Sequence, residues 1–313
     1  MRAARLHGVR DLRMEELPAP EPGPGDLLVR IEGCGVCPTD VRKWALGLNE
    51  GEYPFNPGHE WVGRVEATGP DVSGWDIGRW VYGDTYAGYA EYALAPTTPG
   101  RWSYGPLALP DDLPLERAVF VEPFADCLHA VHDQARLEPG QRAVVVGGGQ
   151  MGQQLVVAAR AAGARVVLVE PLEERRELAL ELGADWAVAE LAEADAGVQA
   201  VILAVGAATL VQPALELMAP GGRVVLFAGF GDEPHATVDL NRIHYEELAL
   251  VGSEWIGTPP NTRRERYAEA LALLVSGEAP LERLVAGRCS LDELEQIFED
   301  VRALRRLNTI VVP

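Results

Sequence analysis

The stretch RAVVVGGGQMG, residues 142–152, decides the fold. Its apolar first half predicts a buried strand, and Gly147, Gly149 and Gly152 match the G-x-G-x-x-G pattern of a strand-to-helix turn. In that pattern the first glycine permits a tight turn, the second lets backbone amides approach a pyrophosphate, and the third lets the helix pack closely on the strand. The helix N-terminus adds partial positive charge. The glycines alone would suit a turn without a ligand equally well.

The residues around this turn favour a dinucleotide as its ligand. Gln150 and Met151 lie between the second and third glycines and complete the predicted phosphate-binding turn. The next strand ends at Glu170, close to the ~20-residue spacing of the acid that binds an adenosine ribose. A carboxylate there accepts hydrogen bonds from the ribose hydroxyls and repels a 2′-phosphate, which favours NAD over NADP. Arg175 is added to the predicted cofactor site because it could reach a phosphate, although a solvated helix face is the favoured role for it and for Arg176.

The region from 124 to 258 repeats the order strand, turn, helix. Strands are predicted at 142–147, 165–170, 199–205, 223–229 and 248–253, and helices at 150–162, 173–182 and 209–219. Continuous runs of Val, Ile and Leu between such turns are typical of parallel strands covered by helices on both faces. The sequence therefore predicts an α/β fold with a doubly wound parallel sheet.

The segments on either side of this region have a different character. Residues before about 118 form short apolar or alternating runs broken by Gly and Pro clusters, which predicts a β-rich region. The tail, 259–313, predicts a helix at 262–276, a second at 291–305 with Ser290 as N-cap and Glu293 three residues on, and a final strand. Because the tail is too short to bury a core alone, we expect it to fold onto the N-terminal region. The predicted domains are 1–123 with 259–313, and 124–258.

Composition disfavours several other classes of protein. The 313 residues carry 47 Asp and Glu against 27 Lys and Arg, a formal net charge of −20 that opposes binding to nucleic acid or to anionic membranes. Four cysteines are too few for a disulfide scaffold, and the basic start of the chain lacks the apolar region of a signal peptide. We therefore expect a cytoplasmic protein. Lys43 is the single lysine, and composition alone gives it no functional weight.

Four residues of the first region have the chemistry of a metal site. Cys37 lies in GCGVCPTD, His59 and Glu60 lie in PGHEW, and Glu122 follows in VFVEPFADCLHA. Singly, each would suit a structural role as a buried thiol, a surface imidazole or an acid at a helix start. Together they offer thiolate, imidazole and carboxylate, and a catalytic zinc takes three such ligands and keeps one position open. Since the cysteines form no second C-x-x-C pair, the predicted site is catalytic and not structural.

The order of these motifs, with VVVGGGQMG and LVGS after them, resembles the zinc-dependent medium-chain alcohol dehydrogenase family, nearest to its sorbitol, threonine and sugar-alcohol dehydrogenase branch. The resemblance covers essentially the whole chain. It implies a GroES-like β-rich catalytic domain and a Rossmann NAD-binding domain, in a homodimer or homotetramer. It also implies zinc ligands at Cys37, His59 and Glu122, with Glu60 ligating directly or through water.

The resemblance further implies the reaction. Thr39 matches the hydroxyl that hydrogen-bonds the substrate oxygen, and Asp40 matches an acid beside the ligand histidine. These two and Glu60 are the candidate catalytic residues. The expected activity is the interconversion of a secondary alcohol, whether a polyol, a sugar or an amino alcohol, and its ketone, with NAD and one catalytic zinc.

Three features depart from the family pattern. Pro38 replaces a frequent glycine, and Arg42 stands where many relatives carry the histidine that passes a proton to solvent. The stretch after Trp80 lacks the four-cysteine lobe of many members, so no structural zinc is expected. Two alternatives stay open: a zinc-independent quinone or enone reductase of the same superfamily, and a nucleotide-binding protein without turnover.

Overall fold

The structure, a computed structural model, describes residues 1–48, 51–100, 103–231 and 234–313. The strands of these residues are β1 (Arg2–Gly8), β2 (Asp11–Glu16), β3 (Asp26–Gly35), β4 (Glu60–Thr68), β5 (Trp80–Gly83), β6 (Tyr92–Pro96), β7 (Leu107–Ala108), β8 (Arg142–Val146), β9 (Arg165–Val169), β10 (Trp186–Val188), β11 (Val198–Leu203), β12 (Met218–Leu226), β13 (Ala249–Gly252), β14 (Val285–Ser290) and β15 (Asn308–Val312). The α-helices are α1 (Pro38–Leu46), α2 (Leu115–Ala118), α3 (Val121–His129), α4 (Gln150–Ala161), α5 (Glu173–Glu181), α6 (Val211–Glu216), α7 (Leu240–Tyr245), α8 (Pro260–Ser276) and α9 (Leu294–Arg302).

The chain divides into two compact units, Met1–Glu122 with Pro280–Pro313, and Pro123–Ala279. The second boundary therefore lies after Ala279 and not after residue 258, where strand and helix patterning placed it. The reason is α8, whose Arg266 pairs with Asp133 at 3.0 Å. This contact ties α8 to the second unit, and only 280–313 join the N-terminal residues.

The first unit is built on a seven-stranded sheet. Its order is β14-β15-β3-β4-β5-β7, with β6 also paired to β3, and β1 and β2 form a separate antiparallel pair. The C-terminal strand β15 runs antiparallel to β3, with Ile310 opposite Gly35 and Val311 opposite Cys34. The fully buried side chains at the centre of this core are Leu6, Leu27, Val29, Trp61, Phe298 and Val311.

The second unit is a six-stranded parallel sheet in the order β10-β9-β8-β11-β12-β13. Its central strands carry the apolar runs that predicted them, and Val145 of β8 pairs with Leu168 of β9 and with Ile202 of β11. Strand order reverses between β8 and β11, and such a point is where doubly wound sheets bind their ligands. The buried core of this sheet includes Val144, Val146, Val201, Leu203, Leu215 and Val224.

Some elements differ from the sequence prediction. The helix predicted at 209–219 is shortened to α6 because β12 begins at Met218. The helix predicted at 291–305 begins with a 3₁₀ turn and ends at Arg302, and Ser290 and Glu293 form the expected capping box. Among the described residues, no helix has the length and apolar character needed to cross a lipid bilayer.

Candidate active site

The first part of the site forms where β3 turns into α1. Cys37 is the N-cap of α1 with extended backbone, and Pro38 follows at the first helical position, where its missing N–H leaves no hydrogen bond unmade. The Cys37 side chain is buried, at 8% exposed. The sequence therefore fixes a thiol at a helix start, directly beyond the end of a central strand.

Antiparallel pairing brings the second part of the site to the same place. Gly35 at the end of β3 lies opposite Glu60 at the start of β4, so Cys37 and His59 each lie just beyond this pair. Gly35 lets the Glu60 side chain pack closely on it, since a Cβ there would lie 2.5 Å from Oε2 of Glu60 and displace that carboxylate. Gly58, with φ of +91°, makes the turn into His59. Sheet register thus explains how residues more than twenty positions apart converge.

The converged donors form a compact group of three. One ligand atom each of Cys37, His59 and Glu60 lies within 4.8 Å of the others. Nδ1 of His59 lies 3.2 Å from Oδ2 of Asp40, which is fully buried in the first turn of α1. The hydroxyl of Tyr89 lies 3.2 Å from the same Asp40 oxygen. Asp40, to which the Tyr89 hydroxyl donates, therefore lies behind the imidazole, at the position from which carboxylates commonly orient ligating histidines.

The electrostatics of the group suit a cation. Burial raises the pKa of the Cys37 thiol to about 11, and the negative charge of Glu60 adds to this. Burial lowers the pKa of His59, but the charges of Asp40 and Cys37 outweigh burial and hold that pKa well above its ordinary value. A divalent ion reverses both effects, because it favours the thiolate and the neutral imidazole. Sulfur, nitrogen and oxygen donors at this spacing fit zinc.

Two predicted site residues lie outside this group. Glu122, half-buried in the first turn of α3, is not among the residues whose ligand atoms meet within that distance. Thr39 is exposed on the first turn of α1, two residues after Cys37. The structure also adds a residue that sequence motifs did not indicate, Tyr89, whose hydroxyl reaches Asp40 from a distant segment. No local signal marks such a contact.

The glycine turn has the geometry expected of a phosphate-binding loop. Gly147 has φ of +102°, a left-handed conformation that favours glycine, and Gly149 is the N-cap of α4. A Cβ on Gly152 would lie 1.7 Å from the carbonyl oxygen of Gly147, so only glycine lets α4 approach β8. Gln150 and Met151 occupy the first turn of α4, and the Met151 carbonyl accepts a long bond from the Cys127 thiol at 3.7 Å. The turn leaves room for a ligand at Gly149, where a Cβ would meet nothing within 4 Å.

Glu170 lies directly beside this turn. Its Oε2 accepts a hydrogen bond of 2.6 Å from the Gly148 amide, and its Oε1 accepts one of 3.0 Å from the Leu172 amide. The expectation of a solvated helix face is wrong for Arg175, and Arg176 is only partly exposed. Arg175 is buried, and Arg176 donates to the carbonyl of Glu170 at 2.8 Å. The burial of Arg175 follows from packing of the first turn of α5 against the start of α4, where Gln153 donates a hydrogen bond to the Arg175 carbonyl.

Comparison with known proteins agrees with this geometry. Residues 23–103 match the model of the alcohol dehydrogenase GroES-like domain, and residues 137–276 match that of the zinc-binding dehydrogenase domain. The (R,R)-butanediol dehydrogenase of Bacillus subtilis (strain 168) is 28% identical over 94% of this chain and 94% of its own. The chain belongs to the zinc-dependent medium-chain alcohol dehydrogenase family. This dehydrogenase is thus an oxidoreductase.

Further relatives cover the dehydrogenase along its whole length. The sorbitol dehydrogenase of Homo sapiens is 29% identical over 94% of this chain and 90% of its own. A zinc-binding dehydrogenase of Sinorhizobium meliloti 1021, solved bound to NADP, is 28% identical, covers 100% of this chain and 99% of its own, and superposes with a TM-score of 0.89. The predicted combination of a GroES-like β-rich domain with a parallel-sheet Rossmann domain is confirmed.

Proposed function

We propose that this dehydrogenase interconverts a secondary alcohol and its ketone with NAD as hydride carrier, and that its alcohol is a polyol, a sugar or an amino alcohol. The observation that carries the proposal is the convergence of Cys37, His59 and Glu60 within 4.8 Å. Relatives named for butanediol and sorbitol support the substrate class. One catalytic zinc and no structural zinc complete the proposal, since the sequence after Trp80 lacks a four-cysteine lobe.

Residues of the first unit would bind both the zinc ion and the alcohol. Cys37 and His59 would hold zinc, with Glu60 and Glu122 as further oxygen donors, directly or through water. A zinc ion so held supplies Lewis acidity that lowers the pKa of an alcohol hydroxyl. Asp40 fixes the orientation of the His59 ring. Thr39, exposed two residues after Cys37, would accept a hydrogen bond from the alcohol hydroxyl and so orient it.

The residues of the second unit would hold the cofactor. NAD supplies the hydride acceptor, and the protein supplies its binding and alignment. The proposed cofactor site consists of Gly147, Gly149, Gln150, Met151, Gly152, Glu170 and Arg175. Backbone amides at the start of α4 would bind the pyrophosphate, and the remaining lone pairs of the Glu170 carboxylate would accept the ribose hydroxyls.

The metal proposal is tested by elemental analysis of protein purified without chelator. We expect near-stoichiometric zinc in the parent, and loss of both zinc and turnover in Cys37→Ser and His59→Ala, because each variant removes a donor. NADH affinity should persist in both variants. Cys34→Ala is the matched control, since Cys34 is a buried thiol of the same strand end but not part of the three-residue group. Full zinc content in Cys37→Ser would contradict the proposal.

The preference for NAD over NADP is tested at Glu170. The parent should bind NADH more tightly than NADPH, because a carboxylate repels a 2′-phosphate. Glu170→Gln keeps the shape and removes the charge, so the ratio of the two dissociation constants should fall by about tenfold. Cofactor fluorescence titration measures both constants. Tighter binding of NADPH by the parent would show that the buried guanidinium of Arg175 outweighs the carboxylate.

We also propose a cytoplasmic homodimer or homotetramer. All four cysteines are thiols and not disulfides, which supports a reducing compartment. Strand β13 lies at the edge of the parallel sheet, and Leu250 on it and Tyr245 before it are 40% and 78% exposed. An edge strand with such exposed apolar side chains supports pairing with a second copy.

A further inference from the structure

Lys43 is the only lysine of the chain, and it contacts Tyr86, whose ring in turn contacts the candidate metal ligand His59. It is on α1, which begins directly after Cys37. Its ammonium donates a hydrogen bond to the Tyr86 hydroxyl. It also lies 4.1 Å from the centre of the Tyr86 ring and 5.2 Å from that of Phe55. Two aromatic rings thus fix the position of this charge.

The same rings connect the ammonium to His59. The ring centres of Tyr86 and His59 are 5.2 Å apart, edge to face, and those of Phe55 and Tyr86 are 4.8 Å apart. Tyr86 is 38% exposed, so part of its side chain borders solvent. Lys43 and Tyr86 therefore form one polar surface, here called the Lys43–Tyr86 edge. The Tyr86 ring of this surface contacts His59, the candidate metal ligand.

Most of the hydrogen-bonding capacity of Lys43 is not used by the described residues of the first unit. An ammonium has three N–H donors, and Tyr86 takes one. Among the residues that the structure describes, no carboxylate lies within 4.0 Å of Lys43, whereas Arg2, Arg5, Arg10, Arg13 and Arg64 of the same unit each pair with one. A cation held against rings, with spare donors, is suited to bind an oxyanion.

The presence of lysine and not arginine at position 43 also favours a bound ligand. Every other basic side chain counted among the 27 Lys and Arg is an arginine. An ammonium is a compact charge with donors that rotate freely, whereas a guanidinium is a broad planar fork. Stacking on Tyr86 and Phe55 alone would suit arginine at least as well, because arginine is the commoner partner of aromatic rings.

We propose that the Lys43–Tyr86 edge is an oxyanion-binding subsite, and that the alcohol oxidised here carries a phosphate or a carboxylate group. The inference rests on the proposed function for the identity of the reaction. The ammonium and the phenol O–H bind the anionic group of the substrate, while its hydroxyl is bound at the group formed by Cys37, His59 and Glu60. The subsite acts in recognition and takes no part in the bond changes.

The first test measures the reactivity of the Lys43 amine directly. Because it carries the only side-chain amine, acetylation by N-hydroxysuccinimide acetate followed by peptide mapping reports on Lys43 and on the Met1 amine alone. Inorganic phosphate or malonate, at constant ionic strength, should slow acetylation of Lys43 and leave that of Met1 unchanged. The effect should persist after zinc is removed by chelation. Equal effects at both amines, or an effect that disappears with the metal, would overturn the subsite.

The second test compares matched alcohols with and without a charge. Sorbitol is paired with sorbitol 6-phosphate, and butane-2,3-diol with 3-hydroxybutyrate. In at least one pair the parent should favour the anionic member in kcat/KM by about ten- to hundredfold, the effect of one charged hydrogen bond. Lys43→Met should abolish this preference, mainly through KM, and Lys43→Arg should retain part of it. The pair that responds shows whether phosphate or carboxylate is recognised.

A control variant separates the subsite from general charge effects. Arg13→Met removes one positive charge from an exposed position of the same unit and should leave the preference unchanged. The subsite is overturned if Lys43→Met keeps the preference or if the parent shows none. Turnover of the neutral alcohols would still uphold the proposed function in that case. If no alcohol is oxidised, the proposed function fails, and the acetylation test still decides on the subsite.

Discussion

Asp126 of α3 is a carboxyl group in surroundings that oppose its charge. Its Oδ1 is buried and has no hydrogen-bond partner among the described residues. Burial raises the pKa of Asp126 to about 8, and the negative charge of Glu254 adds to this. An unfolded chain keeps a pKa of ~3.9 for such a group. Between these two values the folded protein binds a proton that the unfolded chain has released.

This difference makes the contribution of Asp126 to stability depend on pH. Stability falls as pH rises wherever the folded state binds more protons, so the loss begins near pH ~4 and is complete above pH ~8. Asp126→Asn has no proton to lose. We expect its free energy of unfolding to exceed that of the parent by roughly 1–3 kcal/mol at pH ~9, with a smaller difference at pH ~6. Urea unfolding at both pH values measures the two differences.

The control for this prediction is Asp195→Asn, which removes one charge from an exposed position of the same unit. It should change the free energy of unfolding little at either pH. If Asp126→Asn is less stable than the parent at pH ~9, the carboxylate of Asp126 has a favourable partner when ionised. The interpretation of this residue would then be wrong.

Residue types predicted part of the candidate site, and geometry supplied the rest. The chemistry of Cys37, His59 and Glu60 was enough to single them out as candidate metal ligands, because together they offer a sulfur, a nitrogen and an oxygen donor. Their spacing along the chain gives no distance, however. Glu122 has the right chemistry but lies outside the group that meets within 4.8 Å. Whether it binds the ion stays a prediction.

At the scale of elements, the start of α4 depends on two glycines in different ways. In Gly152→Ala the new Cβ would lie 1.7 Å from the Gly147 carbonyl oxygen. Because that atom belongs to the backbone of the turn, neither partner can move without breaking the β8–α4 packing. We expect a loss of roughly 3 kcal/mol or more in the free energy of unfolding. Denaturant unfolding of the variant measures this loss.

Gly149→Ala is the matched comparison for the same turn. Gly149 has φ of −69°, which any residue adopts, and a Cβ there would meet nothing within 4 Å. The variant should therefore keep the stability of the parent. If the pyrophosphate approaches the backbone at this position, the added methyl group should weaken NADH binding by about tenfold or more. Unchanged NADH affinity in Gly149→Ala would place the pyrophosphate elsewhere.

Long, strongly patterned elements could be predicted from the sequence, and short or edge elements could not. The apolar runs of β8, β9 and β11 are buried on both sides, so each carries a clear signal. The edge strand β10 has three residues, and its Trp186 is 51% exposed with the Arg165 guanidinium over its ring. Its residues are too few to show the apolar pattern by which a buried strand is predicted. Only its pairing with β9 makes it a strand.

At the scale of the whole molecule, the chain leaves the first unit after Glu122 and returns at Pro280. Sequence patterning predicted the return but placed it before α8, because periodicity shows that a helix forms and not which sheet it joins. Long-range contacts decide that question. Arg266 of α8 bonds both Asp133 and Glu269, and Tyr267 packs near Trp255, all within 123–279.

The discontinuity predicts which pieces of the chain can fold alone. Residues 123–279 contain all six strands of the parallel sheet, so this fragment should unfold cooperatively in urea. Residues 1–122 lack β14 and β15, and without β15 the end of β3 at Gly35 loses one of its two neighbouring strands and keeps only β4. We expect this second fragment to show no cooperative transition and to retain no zinc.

A fusion of the two segments of the first unit distinguishes the effect of losing β14 and β15 from a general effect of cutting the chain. Arg117 donates to Glu282 at 2.6 Å, which shows that the two segments lie close together at the cut. A short Gly/Ser linker should therefore join 1–122 to 280–313 at a small entropic cost. We expect this fusion to recover cooperative unfolding and zinc binding through the group of Cys37, His59 and Glu60. Circular dichroism and elemental analysis measure both properties, and cooperative folding of 1–122 without β15 would show that the C-terminal strands are dispensable.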